Sequence, residues 1–215
     1  MRCAVSEVVI CDESDDGFGW ISAEPDWMGR ASHALAAGGR VWLVDPVDFA
    51  GLDDRVRSLG EPAGILQLLA WHHRDSATIA ARLGVEHRVV PAVLPGTPFE
   101  AVRIEGVPGW RETSLWWPER RTLVVAEAVG TARYYCSPGQ PLGVHPLLRV
   151  VRPPRVLLRF EPEHILCGHG PGVHEGAADA LRNAVRRARR ELPAVLPRIV
   201  AARRHPAGTT PSSSR

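Results

Sequence analysis

The chemistry-bearing residues of this chain gather in a few short segments. "LLAWHHRDSATIAARLGV" (Leu68–Val85) has the outline of a metal-binding turn: an apolar run, then His72, His73 and Asp75, then a helix-like pattern. Imidazole and carboxylate groups are the ligands that zinc, iron or manganese take from proteins. Farther on, "LVVAEA" carries Glu127 and "ILCGHG" carries His169, each beside an apolar run. Other chemistry finds less support. Ser76 lies beside His73 and Asp75, but no nucleophile elbow or oxyanion hole accompanies that trio. "CGHGPG" lacks the lysine and spacing of a phosphate loop. Cys167, at a strand end, reads as core. Asp75 also suits the N-cap of the helix that follows it.

The elements that must position these residues alternate early in the chain. "GRVWLVDP" (Gly39–Pro46) reads as a buried strand, and "FAGLDDRVRSLG" as a short helix stopped by Gly60. "GILQLLAW" (Gly64–Trp71) is a second buried strand. The helix "DSATIAARLG" then ends at Gly84, and a strand-like "HRVVPAV" follows. "EAVRIEGV" alternates as a half-buried strand does. "TSLWWPERRTLVVAEAV" predicts a hairpin about the turn "PERR", with Trp116 and Trp117 on opposite faces. "YYCSPGQPLGVHP" reads as loop, and "EHILCGHGPGV" as a strand running into a glycine-rich turn. In "HEGAADALRNAVRRARREL" residues Ala177, Leu181, Ala184, Val185 and Ala188 share one helical face, with Pro193 as the expected stop. The pattern is mixed α/β, with helices covering sheets.

The chain's 215 residues suit a single domain, here 1–192. Residues 193–215 form a basic extension whose end, "HPAGTTPSSSR", has the composition of a disordered tail. No apolar run reaches the length of a membrane span, and acidic residues interrupt the N-terminal stretch, so the sequence reads as cytoplasmic. The four cysteines form no C-x-x-C pair and read as free thiols. All 26 basic residues are arginine, and the formal net charge is +2. The arginine face of Arg182, Arg186, Arg187, Arg189 and Arg190 reads as a solvated helix surface, so nucleic acid is not the expected partner.

Four segments in order, "VWLVDP", "WHHRDS", "PGWRETSLWWPERRTLVVAEA" and "ILCGHG", resemble the metallo-β-lactamase fold superfamily, nearest its glyoxalase-II-like hydrolases. The resemblance spans roughly residues 15–190. It implies an αββα four-layer sandwich with metals at one edge of two sheets. The family pattern is H-x-H-x-D-H, then a histidine in "PGH", a strand-end aspartate and a histidine in "GHG". Laid on it, His73 and Asp75 match the second histidine and the aspartate, Glu127 stands for the bridging aspartate, and His169 matches the last histidine. Trp71, Ser76 and Trp110 occupy the remaining histidine positions. In this register His72 is expected to point away from the site.

The resemblance therefore implies a reduced, at most mononuclear, centre. Asp75, Glu127, His169 and His73 would hold one zinc, iron or manganese ion, with His73 and Asp75 as the catalytic pair acting on an ester or thioester. The alternative is a metal-free polar cluster in a non-catalytic scaffold that binds a ligand or a protein partner, with Trp71 and Trp110 plugging the site. The partner is correspondingly a small-molecule substrate or a protein, and no membrane.

Overall fold

The computed structural model describes residues 7–23 and 28–204. Twelve strands and five α-helices follow one another along these residues. Strands β1 (Val8–Ser14), β2 (Gly17–Ser22), β3 (Ala31–Ala37) and β4 (Arg40–Val44) lead to α1 (Leu52–Leu59), β5 (Glu61–Gln67), α2 (Ser76–Leu83) and β6 (His87–Val89). Strands β7 (Glu100–Glu105), β8 (Arg111–Trp117), β9 (Thr122–Val125), β10 (Val129–Gly130) and β11 (Gly143–Val144) come next. Helix α3 (Pro146–Val150), strand β12 (His164–Cys167) and helices α4 (Ala177–Arg187) and α5 (Leu192–Arg204) complete the order.

One sheet has six strands in the order β1-β2-β3-β4-β5-β6; a second has four, in the order β12-β9-β8-β7. Three apolar layers account for their stacking. Leu35, Val44, Leu66, Leu115, Trp117 and Val124 fill the space between the sheets. Phe18, Leu43, Val56, Ile65 and Ile79 join the six-stranded sheet to α1 and α2. Val125, Leu148, Leu157, Ile165, Leu181 and Val185 join the four-stranded sheet to α3 and α4. The result is the αββα four-layer sandwich expected from the sequence. The hairpin β8–β9 turns at Pro118–Arg120, and its two tryptophans divide as alternation requires. Trp117 enters the layer between the sheets and Trp116 the layer under the helices.

Two details differ from the expected elements. The arginine-rich helix ends at Arg187, before Pro193. That proline instead falls in the first turn of α5, where a missing N–H has no helical partner to lose. The stretch read as loop between Tyr134 and Pro146 contains β11, which pairs antiparallel with β10. No helix among the described residues is long and apolar enough to cross a membrane. Cys11, Cys136 and Cys167 are free, whereas Cys3 and the tail 205–215 lie outside the described residues.

The two sheets are stitched together by backbone hydrogen bonds at the edge where β4, β5, β9 and β12 end. Ala31 N donates to Gly168 O at 2.9 Å, Ala70 N to Arg111 O at 3.0 Å and Thr113 N to Leu68 O at 2.8 Å. The sequence segments singled out for chemistry all emerge at this edge.

Candidate metal centre

Three donor atoms meet at the stitched edge. His72 Nε2 lies 3.0 Å and His169 Nε2 2.8 Å from Glu127 Oε2, and the two nitrogens are 3.4 Å apart. Among the described residues, His72, Glu127 and His169 are the one group of three or more such side chains close enough to share an ion. All three are buried.

Each is delivered by a strand end and held from behind. Asp45 follows β4 in a left-handed conformation (φ 43°) and turns its carboxylate inward. Its Oδ1 accepts the Leu68 N–H at 2.9 Å, and its Oδ2 accepts from His72 Nδ1 at 3.0 Å. His169 follows β12, and its Nδ1 donates to the Met28 carbonyl at 3.2 Å. Glu127 follows β9, and its backbone N–H is accepted by Glu112 Oε1 at 2.9 Å. Glu112 also takes the Ala128 N–H and the Trp110 indole N–H, the latter at 2.8 Å. Burial pushes the Glu112 carboxyl up to about 7 even against these three donors.

The far oxygen of Glu127 is occupied as well. Its Oε1 accepts the Tyr135 hydroxyl at 2.7 Å and lies 3.4 Å from His145 Nε2. His145 caps α3 by accepting the Leu147 N–H on Nδ1, which leaves its Nε2 proton for Glu127. Burial, outweighing the pull of Glu127, lowers the His145 pKa to about 4, so this ring is neutral. Burial alone would raise the Glu127 carboxyl. The hydrogen bonds of His169 and His72 outweigh it and hold the group far below the ordinary carboxylate range.

The imidazoles are under competing demands. All four ring nitrogens of His72 and His169 face acceptors: Asp45, the Met28 carbonyl and, twice, Glu127 Oε2. Full satisfaction by protons requires two imidazolium ions. Burial and the Arg74 charge oppose a proton on His72, but Asp45 and Glu127 prevail and its pKa rises. At His169 burial prevails over Glu127 and the pKa falls. The two rings are thus driven in opposite directions, His72 toward its protonated form and His169 away from it. A divalent cation would resolve that conflict, because both Nδ1–H groups would remain on their outer acceptors with both Nε2 lone pairs turned inward. The 3.4 Å separation of the two nitrogens matches the spacing of about 3.3–3.4 Å for two ligands on one tetrahedral zinc ion.

Of the four residues expected to ligate, Glu127 and His169 stand in this group, whereas His73 and Asp75 do not. Asp75 turns its Oδ2 to the Asp48 N–H at 2.8 Å, bracing the loop after β4, and His73 is exposed. His72, expected to point away, takes the inner place. The cause is the tight turn after β5, in which His72 N donates back to Leu69 O at 3.0 Å and the strand's alternation no longer governs which way a side chain faces. Arg74 itself reaches inward. Its guanidinium donates to the carbonyls of Asp45 at 2.7 Å and Gly168 at 3.0 Å, and also to that of Ala31. Trp110 lies against the His145 ring at 5.1 Å and meets Trp71 edge-on at 5.4 Å, with Trp71 half exposed above it. Sequence reasoning passed over Asp45, Tyr135 and His145. Two signals were available: an aspartate closing a buried strand before a proline, and a histidine placed before Pro146, where N-caps occur.

No protein-family model and no curated protein matches the sequence. Solved structures do match. The DIM-1 metallo-β-lactamase is 13% identical, with a TM-score of 0.62 over 86% of this chain and 99% of that one. TMB-1 is 14% identical with a TM-score of 0.55, and VMB-1 11% identical with 0.51, each over 86% of this chain. At such identities the likeness is one of fold: the chain has the metallo-β-lactamase fold.

Proposed function

We propose that this metallo-β-lactamase-fold chain is a hydrolase-like protein with a mononuclear metal centre held by His72, Glu127 and His169. The observation that carries the reading is the inward convergence of two Nε2 atoms on one carboxylate oxygen, each ring tethered through Nδ1 to an outer acceptor. Two histidines and one carboxylate suit zinc, iron or manganese. A bound ion of this kind supplies Lewis acidity and lowers the pKa of a coordinated water.

The chain's own residues have separate tasks. Asp45 and the Met28 carbonyl orient the rings and fix their tautomers. Tyr135 and His145 hold the Glu127 carboxylate from its far side, so that Oε2 is the oxygen left for the ion. Arg74 supplies a fixed positive charge beside Asp45 and secures the turn that carries His72. Trp110 and Trp71 form an aromatic wall against which an apolar acyl group would rest, and an ester or thioester is the substrate class consistent with it.

A second reading, a metal-free binding scaffold, is favoured by one specific observation. The cluster is buried, and its members pair with one another through Asp45–His72, Glu127–His72 and Glu127–His169. Metal content by inductively coupled plasma mass spectrometry separates the two. Protein stripped and reloaded with zinc, iron and manganese in turn is expected to retain about one ion per chain. That ion is expected to be lost in His72→Ala and His169→Ala and kept in His73→Ala. Retention in all three variants, or in none of the proteins including wild type, refutes the mononuclear centre. Hydrolysis of ester and thioester substrates would then be screened with the loaded form.

A further inference from the structure

A second pair of histidines lies at the opposite end of β12. His164 begins that strand and His174 follows the segment bridged back to it, with Ile165 opposite Val173. Antiparallel register makes His164 and His174 direct cross-strand neighbours, with side chains on one face. Their Nδ1 atoms are 3.3 Å apart. That is again the spacing of about 3.3–3.4 Å between two nitrogens on one tetrahedral ion.

The hydrogen bonds prepare this pair for a metal. His174 Nε2 donates to Asp12 Oδ1 at 2.8 Å, which leaves Nδ1 as the lone-pair nitrogen. Asp12 is held for this role. It sits in a left-handed conformation (φ 53°), and its two oxygens accept the Gly172 N–H at 2.9 and 3.1 Å. Gly172 is needed there, since a Cβ would lie 2.9 Å from both Asp12 Oδ1 and His174 Nε2. The proton between the two Nδ1 atoms therefore belongs to His164. His164 can move it to its own Nε2 by changing tautomer, with no change in charge.

The pair opens on a cleft of about 740 Å³ between the starts of β9 and β12 and the ends of β1 and β3. Five carboxylates line it, those of Asp12, Glu13, Asp16, Glu119 and Glu163, against the guanidiniums of Arg120 and Arg121. The excess of carboxylates draws cations toward the histidines. With its four residues, β12 separates this pair from His169 by roughly 15 Å at about 3.3 Å per residue.

We propose that His164 and His174 form a second metal site, a two-histidine clamp for Cu(II), Ni(II) or Zn(II). Asp12 orients the clamp, and the ion's remaining positions face the cleft. Imidazole donors suit these borderline ions rather than calcium or magnesium. The clamp ties β12 to the segment after Pro171 and, through Asp12, to β1 of the other sheet.

The test uses the full chain, stripped of metal and carrying His169→Ala to disable the first centre. It is titrated with Cu(II) and read by electron paramagnetic resonance. One ion with hyperfine coupling to two imidazole nitrogens is expected. His164→Gln and His174→Gln should each abolish that two-nitrogen signature and weaken binding at least tenfold, and Asp12→Asn should weaken it less. Should His169→Ala fail to give a native circular dichroism spectrum, the wild-type chain serves instead, and each of the two variants is expected to bind one equivalent fewer. A titration unchanged by both His164→Gln and His174→Gln, or no two-nitrogen signature in the parent chain, overturns the proposal.

Discussion

Glu127→Gln is the sharpest perturbation of the centre, because it keeps the side chain's shape and removes its charge. The carboxylate is buried among four partners: Tyr135 at 2.7 Å, His169 at 2.8 Å, His72 at 3.0 Å and His145 at 3.4 Å. A glutamine presents one carbonyl oxygen and one NH₂. Whichever way it turns, the NH₂ confronts either Tyr135 and His145 or the two inner imidazoles. His72, whose protonated form Asp45 and Glu127 favour, also loses one of those two carboxylates. Breaking a buried charge pair from one side costs about 3–5 kcal/mol. For a chain of this length each kcal/mol lowers Tm by about 2–4 °C, so the expected drop is roughly 6–20 °C. The assay is urea and thermal unfolding of metal-stripped protein at pH 7, with an unchanged m-value confirming the same folded state. The acid limb gives an independent check. Glu127 is depressed in the folded state, so its contribution is full above the unfolded glutamate pKa and is lost progressively as pH falls from there toward the folded value. Wild type and variant should therefore converge in strong acid. A difference at pH 7 under about 1 kcal/mol would refute the account of Glu127 as the charge that organises the cluster.

Four further outcomes are expected. Arg74→Met strips hydrogen bonds from the carbonyls of Ala31, Asp45 and Gly168, and should destabilise by about 3–5 kcal/mol in chemical denaturation. Gly143→Ala places a Cβ 1.9 Å from the Tyr135 carbonyl oxygen, so it should displace Tyr135 and lower metal retention by mass spectrometry as well as Tm. Leu115→Ala, fully buried between the sheets, should cost about 2–5 kcal/mol by urea titration without altering metal content. His33 has its pKa lowered, chiefly by burial, so as pH falls below the ordinary histidine value the unfolded chain takes up a proton that the folded chain resists. Its share of stability is full at neutral pH and declines toward acid by at most about 1.4 kcal/mol per pH unit; His33→Asn should flatten that slope in a pH series of urea midpoints.

Much of the fold was legible because its elements carry local signatures. Gly60 and Gly84 end their helices where the sequence places the stops, and the alternation in "EAVRIEGV" and the "PERR" hairpin appear as β7, β8 and β9. The first three strands were not read from pattern. Their inward positions include glycine, alanine, serine and histidine, which leave little hydrophobic period to detect. At the site, Glu127 and His169 could be placed because each follows a strand that ends plainly. His72 could not, because strand alternation was carried too far, through the turn that His72 N closes on Leu69 O. The turn from Leu69 to His72 decides which of two adjacent histidines faces inward, and composition holds no trace of it. Tyr135 reaches Glu127 from the long excursion between β10 and β11, and His145 from just beyond β11, contacts that no local spacing encodes.

The stitching of the sheets has a mechanical consequence. Backbone hydrogen bonds fasten one sheet to the other along the edge that carries His72, Glu127 and His169. At the opposite edge, among the described residues, the tie is made by side chains instead, with Asp12 reaching across to Gly172 and His174. The sandwich is therefore bound like a book, with a spine and a fore-edge. Opening motions that admit water between the sheets should begin at the fore-edge and stop at the spine. Amides of Ala31, Ala70 and Thr113 would then exchange with deuterium only on global unfolding, while those at the β1–β2 turn exchange through smaller openings. The buried cluster lies against the part of the molecule that opens last, and the paired histidines at the part that opens first.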